Sequence, residues 1–229
     1  MTIHEMQNLN RATIDYASTI IVPGMSLVEL RNLCEAYMLS HGADSFWYWD
    51  IGAFVFSGDI TTVSASGLEY KTDDRLIGFN DIITIDLSPQ KNCVWGDYAR
   101  TLIIENGSIV KNIDRIQNVE WRNGLIMEEY LHESMLTFVN ENTTFEELFY
   151  YINDRIKSRG YVNLDFLGNL GHSIVSDKKH RVYIEEGNTE KLSAVEAFTF
   201  EPHISLPGSL YGFKREDIYS FSKGIITVL

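Results

Sequence analysis

Three features of the sequence predict an α+β fold, in which an antiparallel sheet is flanked by two related pairs of helices. The first is a hairpin pattern at residues 80–104, where two β-branched, apolar runs enclose a stretch with turn chemistry. The second is a helical segment at residues 23–43 whose pattern recurs at residues 141–161. The third is a group of strand-like runs near the C-terminus. Two similar halves would leave a cleft between them.

The composition indicates one domain without nucleic-acid or membrane partners. The 229 residues are 45% hydrophobic and no linker divides them, so we expect a single domain at residues 1–229. A formal net charge of −13 argues against a nucleic-acid role that depends on phosphate neutralisation. There are only two cysteines, the N-terminus is polar, and no stretch reaches the length of a membrane span. We therefore expect a cytoplasmic protein, and whether it forms a homodimer stays open.

Apolar positions at helical spacing predict four helices. Ser26 followed by Glu29 is a capping-box pattern, and it marks the start of the second helix. Pro23 and Gly24 end the first helix. The expected ranges are 3–21, 26–42, 119–140 and 142–160.

Residues 44–70 are rich in aromatic and β-branched residues with intervening glycines, which predicts strands and exposed loops. They include an aromatic cluster, Trp47, Tyr48 and Trp49. Two interpretations of this cluster stay open, since aromatic side chains dominate both settings: a core or dimer contact, or the lining of a substrate pocket.

The predicted hairpin brings two carboxylates together. We place its turn between Lys91 and Asn92, which sets Asp86 opposite Asp97. Carboxyl groups opposed across a strand pair lie with their Cβ atoms about 5 Å apart and repel each other. A positive group is therefore expected between them: a shared proton, an Arg or Lys side chain, or one or two metal ions. Arg100 alternates out of phase with Asp97, so we expect it to pair with an acid behind the site.

Each strand-like run near the C-terminus carries one side chain that can bind a metal. These side chains are His172, Glu201 and Glu216. Taken singly, a histidine in an apolar strand is more often a satisfied core residue, and a strand carboxylate is more often paired with Lys or Arg. In combination with Asp86 and Asp97 they form an oxygen-rich set of four carboxylates and one imidazole, which suits divalent ions.

The order of these five residues resembles that of the pita-bread metallopeptidases. This family includes methionine aminopeptidase, aminopeptidase P, prolidase and their non-peptidase relative creatinase. The segment TIDLSPQKNCVWGDYART resembles the family's first aspartate strand and its D-x-x-R-T motif, and LGHSI, FTFEPHI and GFKREDIYSFSKG resemble its later metal-binding strands. The resemblance covers nearly the whole chain. It implies a pita-bread fold, with a curved antiparallel sheet flanked by two pseudo-twofold-related helix pairs.

The resemblance also implies a dinuclear metal centre. Asp86 would bind one ion, and His172 and Glu201 would bind the other. Asp97 and Glu216 would bridge the two ions, which would be Mn, Co, Fe or Zn. A metal-bridging hydroxide would attack the substrate carbonyl, and Glu201 would carry the proton to the leaving amine.

Two histidines of the family are missing from their usual positions. Residues 64–66 stand where the family has a substrate-contacting histidine, and Lys179 stands where it has a second one. His203 lies two residues after Glu201 and hence on the same strand face, so it is one candidate replacement. His180 follows Lys179 and is the rival. Glu201, His203 and His180 are thus the candidate catalytic residues.

The sequence therefore predicts a metallo-aminopeptidase-like hydrolase, namely an aminopeptidase or dipeptidase of the Xaa-Pro type that uses two divalent metal ions. One alternative is a creatinase-like hydrolase of a small amide. Another is a non-catalytic peptide-binding protein, as in histone chaperones with this fold. Non-catalytic relatives tend to lose several ligands, whereas this chain keeps all five, which favours catalysis on a peptide or small amide.

Overall fold

Four α-helices form where the apolar spacing predicts them. The computed structural model describes all residues, 1–229. The helices are α1 (Ile3–Ile20), α2 (Leu27–Ser40), α3 (Val119–Phe138) and α4 (Phe145–Ser158). At the start of α2 the Ser26 side chain accepts a hydrogen bond from the backbone of Glu29, whereas a full capping box closes at Thr144 before α4. No helix combines the length and the apolarity that crossing a membrane requires.

Thirteen strands complete the fold, and every pair of neighbouring strands is antiparallel. They are β1 (Ser45–Phe46), β2 (Ala53–Ser57), β3 (Asp81–Leu87), β4 (Pro89–Lys91), β5 (Val94–Trp95), β6 (Tyr98–Glu105), β7 (Ser108–Ile109), β8 (Val162–Asn163), β9 (Ser173–Ile174), β10 (Ala197–Phe200), β11 (His203–Ser205), β12 (Gly212–Ser222) and β13 (Ile225–Val228). A small sheet has the order β1-β4-β5, and the main sheet runs β2-β3-β6-β12-β10-β9. The expected α+β class with an antiparallel sheet is confirmed.

The long strand β12 joins the two halves of the main sheet. It pairs with β10, β11 and β13 in the second half of the chain. Its link to β6 in the first half consists of two residue pairs, Ala99 with Glu216 and Arg100 with Arg215. The halves therefore meet in the sheet at a short seam.

Each half of the sheet is covered by one helix pair with its own core. Helices α1 and α2 pack on β2 and β3 in a cluster of 19 buried residues, and α3 and α4 pack on β10, β11 and β12 in a cluster of 20. The two halves also repeat a local detail. Ser26 and Thr144, the N-caps of α2 and α4, each form an isolated antiparallel bridge, to Leu76 and Lys191 respectively. The repeated helix pattern thus corresponds to two similar structural units.

The hairpin forms, but its turn lies one residue further along than predicted. Asn92 and Cys93 have φ angles of 50° and 63° and make a two-residue turn between β4 and β5. As a result Asp86 lies opposite Ala99, and the predicted direct opposition of Asp86 and Asp97 is wrong. The partner is displaced by two residues, which is the period of side chains along a strand. Asp97 therefore keeps the predicted face.

Close packing at Gly171 predicts a large effect of substitution there. Gly171 has a φ of 140°, and a Cβ at this position would clash with the backbone carbonyl of Thr199. We expect Gly171→Ala to lower the free energy of unfolding by at least about 3 kcal/mol. Gly168 is the matched control, because it has a φ of 77° but open space around it. Gly168→Ala should lower the free energy of unfolding by only about 1 to 2 kcal/mol. Urea unfolding of both variants measures these losses. Equal losses in the two variants would contradict the role of packing at Gly171.

Candidate metal centre

Three of the predicted ligands lie in one row across the main sheet. Asp86 in β3 is opposite Ala99 in β6, and Ala99 is opposite Glu216 in β12. Strands β10 and β11 pair with β12 in one continuous register, which sets Glu201 between them opposite Glu216. Side chains in one row point to the same face of the sheet. The side chain of Ala99 is too small to separate the carboxylates of Asp86 and Glu216.

The other two ligands come from strand ends in the adjacent row. Asp97 immediately precedes β6 and lies two residues from Ala99, so it shares the face of that residue. His172 immediately precedes β9, and its backbone N–H donates to the Thr199 hydroxyl at 3.0 Å. Thr199 in turn lies two residues before Glu201. The two rows therefore bring all five predicted ligands to one place.

Distances between the side chains show how closely they converge. Asp86, Asp97 and Glu216 each offer a carboxylate oxygen, and these three atoms lie within 4.8 Å of one another. His172 Nε2 is 3.4 Å from Asp97 Oδ2 and 3.8 Å from Glu201 Oε1. Asp97, His172 and Glu216 are 5%, 6% and 0% exposed. The cluster is therefore largely removed from water.

The hydrogen bonding of His172 leaves one ring nitrogen available to a metal. Nδ1 lies 3.1 Å from the backbone carbonyl oxygen of Ser173. A carbonyl oxygen can only accept, so Nδ1 is the donor in this contact. Nε2 faces the carboxylates and is the ring nitrogen through which His172 could bind a metal.

Burial raises the pKa of three of the four carboxylates, namely those of Asp86, Asp97 and Glu216. Burial raises the pKa of Asp97 to about 6, with help from the charges of Asp86 and Glu201 and against the opposing effect of His172. Burial and the neighbouring carboxylates raise the pKa of Glu216 well above its ordinary value. No hydrogen bond reaches either carboxylate oxygen of Glu216. The Lys214 amine lies 3.5 Å from Glu216 Oε2. A buried carboxylate without a hydrogen bond is rare and costs free energy, which favours the binding of a further cation here.

The donor set fits divalent metal ions. Four carboxylates and one neutral imidazole are the ligand types that Mn, Fe, Co and Zn accept. Neither oxygen of Glu216 has a hydrogen bond, and one of them lies within 4.8 Å of carboxylate oxygens of both Asp86 and Asp97, so these three residues could hold an ion together. The residues present are thus compatible with the metal centre that the resemblance implies.

Lys214 belongs to the site, and the sequence analysis missed it. Its Nζ lies 2.6 Å from Asp86 Oδ2, 2.9 Å from Glu201 Oε2 and 3.5 Å from Glu216 Oε2. Burial lowers the pKa of this amine, but the three carboxylates outweigh burial and hold the pKa above its ordinary value. Burial likewise raises the pKa of Glu201, yet the charge of Lys214 brings that pKa below its ordinary value. The position of Lys214 two residues before Glu216 was the available signal, since it places both on one strand face.

A second polar cluster lies behind the site. Arg100 donates to Asp217 Oδ1 at 2.7 Å, so Arg100 pairs with an acid as expected. Arg215 lies 3.1 Å from the other oxygen of Asp217, and His132 Nδ1 lies 2.7 Å from the Tyr219 hydroxyl. Burial lowers the pKa of His132 to about 3, which keeps the ring neutral. None of these side chains lines the cleft.

The two candidate histidines lie in different surroundings. His203 begins β11, is 7% exposed and lines the cleft with Glu201. Its Nε2 donates to the backbone carbonyl of Thr61 at 2.8 Å, and burial lowers its pKa to about 4. The ring is therefore neutral with its one proton engaged, so its free Nδ1 is an acceptor. The side chain of His180 is 80% exposed beside Asp177, and the structure does not bring it to the cleft.

Aromatic residues also line the cleft, as does the loop at residues 64–66 that lacks the family's substrate-contacting histidine. Trp47 and Tyr48 line it, which favours the pocket interpretation for these two, whereas Trp49 is 56% exposed and lies outside the lining. Ser64 and Ala65, at the position of the missing histidine, also line the cleft. The region predicted to contact substrate therefore does border the cleft.

Solved peptidase structures share this fold. The X-Pro aminopeptidase from Thermotoga maritima MSB8 has a TM-score of 0.81 and 21% identity, with 99% of this chain and 59% of that chain covered. The prolidase from Pyrococcus furiosus has a TM-score of 0.80 and 21% identity, with 99% and 61% covered. The methionine aminopeptidase from Rickettsia prowazekii has a TM-score of 0.70 and 16% identity, with 96% and 92% covered. At these identities the likeness shows the fold alone, and it is the pita-bread fold that the resemblance predicted.

Family membership rests on the sequence. The chain spans about three fifths of the length of the first two structures. None of the curated proteins matches it significantly. The model of metallopeptidase family M24, in contrast, matches residues 2–223, which is nearly the whole chain. The chain therefore belongs to metallopeptidase family M24.

Proposed function

We propose that residues 1–229 form the catalytic domain of a dinuclear metal-dependent hydrolase, an aminopeptidase or dipeptidase of the Xaa-Pro type. The observation that carries this proposal is the convergence of four carboxylates and one imidazole in a buried cleft, with no hydrogen bond to Glu216. Family membership and the names of the similar structures support a peptide substrate. A non-catalytic role is less well supported, because every expected ligand is present.

Each ligand has a place in this proposal. Asp86 would hold one ion, and His172 and Glu201 would hold the other. Asp97 and Glu216 would bridge them, consistent with their central positions in the cluster. Two divalent ions, Mn, Co, Fe or Zn, would polarise the substrate carbonyl and lower the pKa of water. A cytoplasmic location stays a prediction, and whether the chain forms a homodimer stays open.

The protein's own groups would move and hold the proton. Glu201, whose pKa lies below its ordinary value, is ionised at neutral pH and can accept a proton from water. The Thr199 hydroxyl lies 3.4 Å from Glu201 Oε1 and Lys214 Nζ lies 2.9 Å from Glu201 Oε2, so both carboxylate oxygens are oriented. Glu201 would then pass the proton to the leaving amine.

The test begins with the metal content of the purified protein, measured by elemental analysis. Hydrolysis of a panel of Met-Xaa and Xaa-Pro dipeptides is then measured with added Mn, Co or Zn. We expect two equivalents of metal and release of the first amino acid from Xaa-Pro dipeptides. Full activity after exhaustive chelation would contradict the proposal, and so would a metal-loaded protein that cleaves no member of the panel.

Removal of a bridging carboxylate should reduce the metal stoichiometry. We expect Asp97→Ala to bind at most one equivalent of metal, because both ions lose a ligand and the remaining ligands no longer span them. Asp165→Asn is the matched control. Asp165 also lines the cleft but lies outside the ligand set, and asparagine keeps the oxygen that accepts from Leu167 and Asn169. Two tightly bound equivalents in Asp97→Ala, measured by calorimetry, would refute the bridging role.

Metal affinity should decrease as the pH falls below about 6. The pKa of Asp97 is raised to about 6, so its ligand form is present above that pH and is lost as the pH falls through it. The ion must then displace a proton, and the dissociation constant should rise by about tenfold per pH unit below 6. Equilibrium dialysis against Mn between pH 5 and 8, with hydrolysis rates on the same samples, measures both. A dissociation constant that is flat across this range would exclude Asp97 as a ligand.

Substitutions of His203 should distinguish two roles of its side chain, namely the hydrogen bond to Thr61 and a contact with the substrate. We expect His203→Ala to keep both metals and to lower kcat by about tenfold, as for the loss of one hydrogen bond in the transition state. His203→Gln can still donate to the carbonyl oxygen of Thr61 but lacks the acceptor Nδ1. Equally low rates in both variants would assign the effect to Nδ1, whereas recovery in His203→Gln would assign it to the contact with Thr61. If His180→Ala is slow and His203→Ala is normal, the role belongs to His180.

A further inference from the structure

Asp165 places an unpaired carboxylate on one wall of the cleft. Its side chain lines the cleft and is half-buried. The two cations of the lining are engaged elsewhere: the Lys214 amine pairs with three other carboxylates, and the Arg181 guanidinium stacks on an aromatic ring. The other carboxylates of the lining are those of the proposed metal ligands Asp86, Asp97 and Glu201. Asp165 is therefore the carboxylate of the lining that has neither a proposed metal nor a cation as its partner.

Backbone contacts fix one oxygen of this carboxylate and leave the other free. Oδ1 accepts from the backbone N–H groups of Leu167 at 2.9 Å and Asn169 at 3.1 Å. Oδ2 makes no hydrogen bond, and it is not sealed off from solvent. The contacts at Oδ1 hold the side chain in place before any ligand arrives, which lowers the entropy that binding at Oδ2 would cost.

Backbone pairing places Asp165 close to the proposed catalytic residues. The N–H of Leu164, the preceding residue, donates to the carbonyl oxygen of His203 at 2.7 Å. Burial and the charge of Glu201 raise the pKa of Asp165, so the two carboxylates are near enough to repel each other. A cation bound at Asp165 would relieve this repulsion and would lie within reach of a substrate held at Glu201.

Apolar side chains surround this part of the wall. Phe166 and Leu167 follow Asp165, line the cleft and are 53% and 63% exposed. Val63 lines the cleft from the first half of the chain, and the hydroxyl of the adjacent Ser64 accepts from the backbone N–H of Phe166 at 3.2 Å. A group with an apolar stem and a cationic end complements such a wall. Lysine and arginine side chains have this form.

A peptide offers two kinds of cation, and the surroundings of Asp165 favour one of them. The α-ammonium has no apolar stem, so it would leave the side chains of Phe166 and Leu167 uncovered. A basic side chain would cover them with its stem. Proline carries no side-chain charge, so in an Xaa-Pro dipeptide a basic side chain belongs to the first residue. The net charge of −13 also attracts cationic peptides over neutral ones.

We propose that Asp165 binds the side-chain cation of a lysine or arginine at the first position of the substrate, so that the site selects peptides with a basic first residue. This inference rests on the proposed function and specifies its substrate class. Asp165 lies outside the proposed metal-ligand set, and it would act on substrate affinity more than on the rate of the bound complex.

The test compares Lys-Pro with norleucyl-proline, whose first side chain has the same four-carbon stem without the amine, on the metal-loaded full chain. The wild type should show a kcat/KM for Lys-Pro about tenfold above that for norleucyl-proline, mostly through KM, as for a hydrogen bond between charged groups. Asp165→Asn removes the charge and keeps an oxygen that accepts from Leu167 and Asn169. It should abolish the preference by slowing Lys-Pro alone.

Asp177→Asn is the matched control, because it removes the same charge from the chain outside the cleft. Asp177 Oδ1 likewise accepts a backbone N–H, that of Lys179 at 3.0 Å, and the side chain is 58% exposed. This variant should keep the preference for Lys-Pro. Equal loss of the preference in both variants would assign it to the overall charge of the chain and overturn the role of Asp165.

The possible results keep this inference apart from the proposed function. Equal kcat/KM for the two dipeptides in the wild type, or a preference that survives in Asp165→Asn, would overturn the inference while the hydrolase stands. Equal slowing of both dipeptides in Asp165→Asn would also overturn it and would assign Asp165 to the α-ammonium. If neither dipeptide is cleaved, the proposed function fails, and calorimetric dissociation constants of the same two peptides decide. Tighter binding of Lys-Pro that Asp165→Asn abolishes would then support the inference, and any other result would overturn it.

Discussion

Mutual repulsion among four carboxylates in one cleft is the constraint on which the rest of the structure depends. In water such groups would move apart, but here Asp86 and Glu216 are fixed by the ladder of a sheet, with only Ala99 between them. The Lys214 amine forms ion pairs with three of the carboxylates, those of Asp86, Glu201 and Glu216. Glu216 nevertheless has no hydrogen bond. The protein thus concentrates acidic groups at one place, an arrangement that favours the binding of divalent cations.

Much of the fold and of the ligand set could be predicted from local patterns. Helix boundaries follow from apolar spacing and caps, and these are properties of a few neighbouring residues. The five ligands followed from their order along the chain and from the resemblance. The turn at Asn92 and Cys93 was misplaced, because a two-residue turn with positive φ at both positions left no glycine to mark it. The error did not move Asp97 to the wrong face, because the shift equalled the side-chain period of a strand.

Contacts between distant segments were beyond sequence reasoning. Lys214 meets Asp86 across 128 positions, and His203 meets Thr61 across 142. Neither pairing produces a recognisable spacing pattern in the sequence, since both depend on how the two halves of the sheet are joined. The same holds for Arg181, whose guanidinium packs on Trp47 from the other half of the chain as well as on Tyr183. Such residues tune a site whose ligands are already recognisable, so they can differ between proteins that share the ligands.

The short seam between the halves has a consequence for folding cooperativity. The first half supplies Asp86 and Asp97, the second half supplies the other three ligands, and the sheet connects them through two residue pairs of β6 and β12. An ion bound by both Asp97 and Glu216 would link a residue of the first half to a residue of the second half. It would therefore connect the two folding units across this seam. By linkage, such an ion stabilises the joined state over any state in which one half has opened. Metal occupancy and the integrity of the molecule as one cooperative unit would therefore be coupled at this junction.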